Sequence, residues 1–504
     1  MAVHGPITGC DLEDVSALFT EWEERNGLLQ PRLSPAAARL SLELATTAYN
    51  LETDIWRDAG WRDLSYQVDN TLLSGAAVNG RGSHGLSGAI SEYFQRLAQS
   101  RLKRQNPISQ IRGVLRQREG SDTCKAIVML HPAAGGRYIV AIGFMGTGKR
   151  IYDWFSNFRV SAEDGMHLGF LQLTKQFEGN HDKIYFPETA RELGLEQLTL
   201  ADILEELKRP DSRFRLWMAG HSQGGAIMQL MAYRAAKRGV LRQNLLGYGF
   251  ASPTVLYDHP PFDPGGFPLF HFINADDVTP RVGAALHVGR CEVYTPDDAM
   301  RQLCYQRAWR EPAFLPTLQL LHTIRDSSSA FLTILGFLHA LQEQPEEDAV
   351  SLFASLLSRF LPYKWVSSLG GRMDSLLRPL IQGTEKGYFQ ASGKTRVPKA
   401  LLQPLTARFS QLMAQYGAPA CTKAVASALA LPHKIRLGEG ETASYQYIVN
   451  RGQEKLRQRV WMGASITSEG LPRRPMRILP GGPFARLSQS RNRRAAKIVH
   501  KEEP

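Results

Sequence analysis

The feature that most constrains the fold is a glycine-rich turn, Gly-His-Ser-Gln-Gly-Gly at positions 220–225. The apolar run 216–219 leads into this turn and predicts a buried strand, and the apolar run 226–232 leads out of it and predicts a helix. A tight turn from strand to helix needs small residues where the two elements nearly touch, and Gly220 and Gly224 occupy those places. The sequence therefore predicts that Ser222 is held in a strained turn at the end of a strand.

A serine in such a turn has the surroundings of a catalytic nucleophile. The N-terminus of the following helix favours a developing negative charge, and the backbone N–H of Gln223 is a candidate donor to an oxyanion. A serine hydroxyl also needs a base to remove its proton and a carboxylate to orient that base. With a strand–serine–helix turn, the carboxylate and the histidine are expected to follow the serine in that order along the chain.

Strand and helix patterns alternate on both sides of the turn. Short apolar runs predict strands at 126–130, 138–142, 213–219, 245–250, 268–273 and 286–294. Helical spacing predicts helices at 40–61, 198–207 and 225–238. The first two strands are separated by Pro132 and two adjacent glycines, which predicts a hairpin. The alternation as a whole predicts an α/β fold with a mostly parallel central sheet.

The character of the chain changes after about residue 305, where strand patterns give way to helical ones. Apolar residues recur at helical spacing over 314–341, 349–361, 366–381 and 401–429. This is a second, helical region of more than a hundred residues. Its apolar faces would suit a lid or an acyl-chain pocket.

The candidate acid follows the predicted strand at 268–273. Asp276 and Asp277 stand just after that strand, where the carboxyl end of a sheet strand presents its side chains to the site. On position alone, both aspartates qualify.

The formal net charge of +12 is unevenly distributed. No acidic residue stands between Glu469 and Glu502, whereas nine arginines and lysines do, and several prolines and glycines predict an irregular tail there. A solvated tail, or one that contacts an anionic membrane, is the expectation. A nucleic-acid partner is disfavoured, because the rest of the chain carries no nucleic-acid-binding motif.

Five scattered cysteines form no Cys-x-x-Cys pair, which predicts free thiols, and neither a metal nor an organic cofactor is expected. The first residues lack a basic stretch followed by an apolar run. A cytoplasmic protein is therefore expected, with export by a route that needs no signal peptide left open.

Segments between Leu40 and Tyr294 resemble the class 3 (fungal-type) lipase family of the α/β-hydrolase superfamily, and they come in the family's order. The matching segments are Leu44-Ala45 with Ala48-Tyr49, Phe144-Met145-Gly146-Thr147, Asp153-Trp154 with Asn157, His167-Leu168-Gly169-Phe170, the turn at 220–225, Phe250-Ala251-Ser252-Pro253, residues 274–280 and Leu286-His287-Val288-Gly289.

The resemblance implies which residues take part in the site. In the family's acid loop the aspartate stands three residues before a proline, which selects Asp277 over Asp276. The family's hydroxyl residue after the early strand supplies the second oxyanion donor, and Thr147 stands at that position. Gln223 replaces the family's usual leucine, a change that leaves its backbone N–H unaffected. His287 matches a structural position and is not expected to be the base.

The resemblance leaves the base open, because no His-x-x-Tyr stands at the distance typical of simple family members. Three candidates remain. His322 and His339 lie in apolar helical patterns, for which histidines packed in the core are expected. His433 follows a Leu-Pro pair in a glycine-containing loop and precedes a helix predicted over 442–459, which carries Tyr445. That context ranks His433 first, His322 second and His339 third.

The expected fold is an α/β-hydrolase with a helical cap or C-terminal helical region. The predicted organisation is an N-terminal extension at 1–39, a hydrolase core at 40–304, a helical insertion at 305–425, a return to the core at 426–465 and a basic tail at 466–504. The expected function is hydrolysis of carboxylic esters, as a lipase, esterase or phospholipase acting through an acyl-enzyme. The alternative is a catalytically degenerate hydrolase scaffold that binds a partner or a lipid surface.

Overall fold

The computed structural model describes residues 2–25, 28–50, 53–63, 124–146, 162–257, 266–344, 352, 399–437, 440–452 and 457–462. The strands are β1 (Trp22–Arg25), β2 (Leu28–Pro31), β3 (Arg62–Asp63), β4 (Ala126–Ala133), β5 (Arg137–Phe144), β6 (Ala162–Glu163), β7 (Met166–His167), β8 (Phe214–His221), β9 (Leu245–Phe250), β10 (Leu269–Asn274), β11 (Arg290–Tyr294) and β12 (Arg457–Met462). The helices are α1 (Pro35–Asn50), α2 (Asp54–Asp58), α3 (Leu168–Glu178), α4 (Pro187–Glu192), α5 (Leu200–Glu206), α6 (Gln223–Lys237), α7 (Asp298–Trp309), α8 (Phe314–Leu321), α9 (Ser327–Gln342), α10 (Lys399–Tyr416), α11 (Ala418–Ala430) and α12 (Ser444–Tyr447).

The central sheet has eight strands in the order β12-β11-β10-β9-β8-β5-β4-β3. Strands β5, β8, β9, β10 and β11 are parallel neighbours, and the antiparallel strands lie at the two sides. Because parallel strands end at the same edge of a sheet, the segments that follow β5, β8 and β10 meet at one edge. These segments begin near Met145, Ser222 and Ala275.

Successive residues of each strand point to opposite faces of the sheet, and the strand sequences are apolar on both. Val140 and Leu216 belong to a core shared with α3, α5 and α6, whereas Ile139 and Trp217 belong to a core shared with α1, α7 and α8. The sheet is therefore covered by helices on both faces. This is the α/β-hydrolase arrangement that the sequence predicts.

Local sequence explains where several elements begin and turn. The β4–β5 hairpin turns at Gly135 and Gly136, whose φ values of 74° and 70° are left-handed and favour glycine. Helix α5 begins with a capping box, in which Thr199 accepts from the backbone N–H of Asp202 and the Asp202 carboxylate accepts from that of Thr199. The predicted hairpin is confirmed.

The helical region packs through its own smaller core. Leu320, Phe337, Phe409 and Val425 belong to this core, which joins α8, α9, α10 and α11. The predicted helical runs 314–341 and 401–429 are each two helices, and 349–361 and 366–381 lie outside the described residues apart from residue 352. No described helix is long and apolar enough to cross a membrane.

Two sequence predictions need correction. The helix predicted over 40–61 is two helices, α1 and α2. The helix predicted over 442–459 is wrong at its C-terminal end: α12 passes into a π-helical turn that ends at Gly452, and residues 457–462 form β12, antiparallel to β11. A free edge of β11 offers backbone hydrogen bonds that outweigh the local helical preference.

Candidate active site

The nucleophile turn, residues 220–225, connects β8 to α6. Ser222 has φ 56° and ψ −127°, a conformation that non-glycine residues rarely adopt and that costs about 1–3 kcal/mol. A Cβ atom on Gly220 would overlap the backbone of Gly224, and one on Gly224 would overlap the carbonyl group of Phe144. Ser222 donates its backbone N–H to the Phe250 carbonyl over 2.8 Å. The turn is thus held tightly against the neighbouring strands.

The strained turn leaves the serine at the carboxyl edge of the sheet and at the start of a helix. Ser222 is 7% exposed, and Gln223 is the first residue of α6. The first backbone N–H groups of a helix have no partner within the helix and favour negative charge. Gln223 therefore has the position required of an oxyanion donor, while Thr147 lies outside the described residues.

Asp277 follows β10 and is buried, with 1% of its surface exposed. Its Oδ1 accepts the backbone N–H of Thr279 over 2.9 Å, and its Oδ2 lies 3.0 Å from Nδ1 of His433. Burial alone would raise the pKa of Asp277. The nearby His433 imidazole and the hydrogen bonds from His433, Thr279 and Tyr445 outweigh burial and hold the pKa below its usual value. Asp277 is therefore ionised at neutral pH.

His433 lies in the base loop, residues 431–437, directly after α11. An ionised carboxylate only accepts hydrogen bonds, so Nδ1 of His433 carries the proton in its bond to Asp277. This bond leaves Nε2 as the ring nitrogen that can accept a proton. The His433 side chain is 24% exposed, and its ring centroid lies 4.6 Å from that of His221, the neighbour of Ser222. The structure thus brings His433 and Asp277 together beside the nucleophile turn.

Two further residues support this pair and were not assigned to the site from the sequence. Tyr445 donates its hydroxyl proton to Oδ2 of Asp277 over 2.8 Å. Asn274, the last residue of β10, donates its side-chain amide to the Pro432 carbonyl in the base loop and to the Tyr305 hydroxyl. The sequence signal for both was weak: Tyr445 belongs to the helix predicted after His433, and Asn274 begins the acid-loop segment.

The neighbouring aspartate has a different set of partners. Asp276 forms a bidentate ion pair with Arg301 at 2.9 and 3.0 Å and accepts the Tyr305 hydroxyl proton at 2.9 Å. His322 Nε2 lies 3.2 Å from Asp276 Oδ1, close enough for an ion pair but off the line of a hydrogen bond. Burial raises the pKa of Asp276, but His322 and Arg301 outweigh it and the pKa is lowered. Asp276 therefore anchors α7 and the end of α8 to the sheet.

The expectation that His322 and His339 pack in the core is wrong. The His322 side chain is 26% exposed at the end of α8, where the helix ends and the ring turns towards Asp276. The His339 side chain is 27% exposed and faces Glu343, one turn along the same helix, at 3.3 Å. His287, by contrast, is fully buried, and its Nε2 lies 2.8 Å from the Ser252 carbonyl.

None of the five cysteines forms a disulfide bond in the structure. Cys10, Cys124, Cys291, Cys304 and Cys421 are all free thiols, and burial raises the pKa of Cys10 and Cys421 to about 11. Within the described ranges, no group of three or more histidines, cysteines or carboxylates has the arrangement of a metal site.

The family model for "Lipase (class 3)" matches residues 141–286, which include β8, the nucleophile turn and both aspartates. The chain carries a class 3 lipase domain. It is a lipase-type enzyme that hydrolyses ester bonds. The base loop lies beyond the matched residues, as does the helical region that precedes it.

Solved structures similar to this chain include fungal lipases. A Rhizomucor miehei triacylglyceride lipase is 19% identical, over 47% of this chain and 84% of that one, with a TM-score of 0.24. A lipase of Rhizopus microsporus var. chinensis is 17% identical, over 46% and 77%, with a TM-score of 0.23. Lipase II of Rhizopus niveus is 16% identical, over 46% and 83%, with a TM-score of 0.23. No curated relative matches the sequence significantly.

Proposed function

We propose that this lipase-type enzyme cleaves carboxylic esters of lipids through a triad of Ser222, His433 and Asp277 and an acyl-enzyme intermediate. The observation that carries the proposal is the 3.0 Å contact between His433 Nδ1 and Asp277 Oδ2 beside the nucleophile turn. It supplies an oriented imidazole whose Nε2 can act as a base next to a serine held in a strained conformation.

The first half of the reaction transfers the acyl group to the enzyme. Nε2 of His433 takes the proton of the Ser222 hydroxyl as its oxygen attacks the acyl carbonyl carbon. The tetrahedral oxyanion is stabilised by the backbone N–H of Gln223 and by Thr147. His433 then gives the proton to the leaving alcohol, and the ester C–O bond breaks. Asp277 stabilises the imidazolium that forms in between.

The second half releases the acid. A water molecule gives a proton to Nε2 of His433 while its oxygen attacks the acyl carbonyl carbon. Collapse of the second tetrahedral intermediate breaks the bond to Ser222, and His433 returns the proton to the serine oxygen. The products are a carboxylic acid and the free enzyme, so no redox partner or group donor is required.

Acylglycerols and phospholipids are the substrate classes we propose. The similar Rhizomucor miehei structure is described as a triacylglyceride lipase. The helical region contributes apolar side chains beside the base loop, because Leu318 of α8 and Ala428 of α11 belong to the same core as Ile435 of that loop. Measuring the release of fatty acid from triacylglycerol and from phosphatidylcholine would distinguish a lipase from a phospholipase.

The central test is Ser222→Ala, assayed on a p-nitrophenyl acyl ester and by labelling with a fluorophosphonate. We expect hydrolysis and labelling to be abolished while the melting temperature is kept. Ser252→Ala is the matched control, since Ser252 is a buried serine that packs against Gly225 without belonging to the triad. Hydrolysis by Ser222→Ala at the wild-type rate would refute the proposal. Absence of labelling in the wild type would favour a degenerate scaffold that binds a partner.

The basic tail, residues 466–504, lies outside the described residues, and its proposed role rests on its charge. Between Glu469 and Glu502 it carries nine basic and no acidic residues. Basic segments bind anionic lipid surfaces at about 1 kcal/mol per residue near the surface. We expect that truncation after Leu471 weakens binding to phosphatidylserine-containing vesicles and spares hydrolysis of a soluble ester. Unchanged vesicle binding would reject this role.

A further inference from the structure

The residue before the nucleophile, His221, is the last residue of β8 and is almost fully buried. Burial lowers the pKa of His221 to about 3, so its ring is uncharged at neutral pH. Both ring nitrogens have partners. Nδ1 lies 2.7 Å from the Tyr49 hydroxyl, and Nε2 lies 2.8 Å from the backbone carbonyl of His433.

These partners determine the direction of each hydrogen bond. A backbone carbonyl only accepts, so Nε2 of His221 carries the proton and donates it to the His433 carbonyl. Nδ1 of the neutral ring is then an acceptor and receives the Tyr49 hydroxyl proton. The Tyr49 hydroxyl also lies directly against Gly146. The hydrogen bonds therefore run from Tyr49 through His221 to His433, and Gly146 packs against the Tyr49 end.

The connected segments carry three different parts of the proposed site. Gly146 directly precedes Thr147, the candidate oxyanion donor, and a Cβ atom on Gly146 would overlap the Tyr49 hydroxyl and crowd the His221 carbonyl at 2.5 Å. His221 precedes the nucleophile, and His433 is the proposed base. The neutral His221 ring thus fixes the relative positions of the loop after β5, the nucleophile turn and the base loop.

We propose that His221 is a positioning residue, which fixes the backbone of the base relative to the nucleophile without touching the substrate. This inference rests on the proposed function. It gives Tyr49 a supporting role, because the Tyr49 hydroxyl donates to Nδ1 of His221. Proton transfer needs the base within hydrogen-bonding distance of the serine, and a displacement of about 1 Å can lower the rate roughly a hundredfold. Loss of the His221 contacts should therefore lower kcat more than it raises KM.

The test compares His221→Phe, His221→Gln and Tyr49→Phe, with rates expressed per serine that a fluorophosphonate labels at completion. This normalisation removes any misfolded fraction. For His221→Phe we expect kcat to fall about ten- to a hundredfold, because two buried hydrogen bonds are lost at once, while KM stays within about twofold of the wild-type value. For Tyr49→Phe, which loses the hydroxyl alone, we expect about a three- to tenfold fall. Glutamine can still donate to the His433 carbonyl, so His221→Gln should recover most of the loss.

Two matched controls separate positioning from packing. His271 is also fully buried, its pKa is lowered to about 3 by burial, and its Nε2 lies 2.8 Å from the Val288 carbonyl outside the site. Tyr248 is a buried tyrosine that donates to the Ser34 carbonyl at 3.2 Å. His271→Phe and Tyr248→Phe should change the melting temperature while keeping kcat per labelled serine close to the wild-type value.

The inference is overturned if His221→Phe keeps wild-type kcat per labelled serine. It is also overturned if the two controls lower kcat as much as the site variants do, or if His221→Gln is as impaired as His221→Phe. Each of these outcomes can be told apart from failure of the proposed function, which would appear as hydrolysis by Ser222→Ala at the wild-type rate or as absence of labelling in the wild type.

Discussion

The nucleophile turn and the base loop carry neighbouring parts of one site, yet they are built from different kinds of contact. In the nucleophile turn, the contacts join residues that are close in sequence: Gly220 packs against Gly224, and the Ser222 carbonyl accepts the N–H of Gly225 over 3.0 Å. In the base loop, the supporting groups come from far along the chain. Asp277 lies 156 positions before His433, and His221 lies 212 positions before it.

The difference bears on how each part responds to change. A strand, a turn and a helix that are contiguous in sequence form their geometry together, so the nucleophile turn depends mainly on steric fit. The base loop depends on hydrogen bonds from Asn274, Ser444 and His221 to the backbone of Pro432 and His433. It also follows α11, whose packing on α8 and α10 belongs to the helical region. The helical region is therefore part of what positions the base.

The largest effect on activity is expected from the base itself. His433→Ala should lower kcat about a thousandfold or more, because general-base catalysis and activation of the serine are lost together. The fold should persist, since the His433 side chain is partly exposed. Ester hydrolysis and fluorophosphonate labelling give the measurement. His322→Ala is the control, with kcat expected within about threefold of wild type, because Asp276 keeps Arg301 and Tyr305. Equal losses in the two variants would show that the base is assigned wrongly.

Substitutions in the nucleophile turn should destabilise the protein through steric overlap. Gly224→Ala places a methyl group against the Phe144 carbonyl, where only backbone movement could make room. We expect the free energy of unfolding to fall by about 3 kcal/mol or more, measured by urea denaturation, together with loss of activity. Gly179→Ala is the matched control, because the nearest atoms to its new methyl group lie at 3.5 Å, an ordinary contact distance. Comparable stability of the two variants would contradict this steric account.

The same difference explains how much could be predicted from the sequence. The nucleophile turn and the strands around it were predictable because their signals are local: glycines, apolar runs and their order. Position alone left Asp276 and Asp277 equivalent, and the choice between them came from the family resemblance. The partners of Asp276, Arg301 and His322, belong to helices whose packing no local pattern encodes.

The base loop was harder to predict, because its context is set by long-range contacts. Three histidines remained as candidates, and the helix predicted after His433 continues as strand β12, since the edge of β11 was not visible in the local pattern. The hydrogen bonds of His221 and Tyr445 were likewise not predictable, because each joins residues more than 160 positions apart.

Low pH should lower the free energy of unfolding through protonation of Asp277. Its folded pKa is lower than its unfolded value, so its ionisation stabilises the fold above the unfolded pKa, and this stabilisation is lost as pH falls through the folded pKa. Between about pH 5 and pH 3, Asp277→Asn should therefore lose less unfolding free energy than the wild type. Urea denaturation across this range is the measurement, and the exposed Asp58→Asn is the control. Identical pH slopes for wild type and Asp277→Asn would contradict the prediction.

The smallest effect is expected at Tyr445, which supports the acid and not the base. Tyr445→Phe removes the 2.8 Å hydrogen bond to Asp277 Oδ2 and keeps the ring in its buried place. Asp277 retains its bonds to His433 and Thr279, so we expect a loss of about 1 kcal/mol in stability and a few-fold fall in kcat. Tyr447→Phe, two residues along the chain, is the control, and steady-state kinetics with thermal unfolding measure both quantities. A fall in kcat as large as that of His433→Ala would mean that Tyr445 takes a direct part in proton transfer, because a lost supporting bond cannot account for a thousandfold effect.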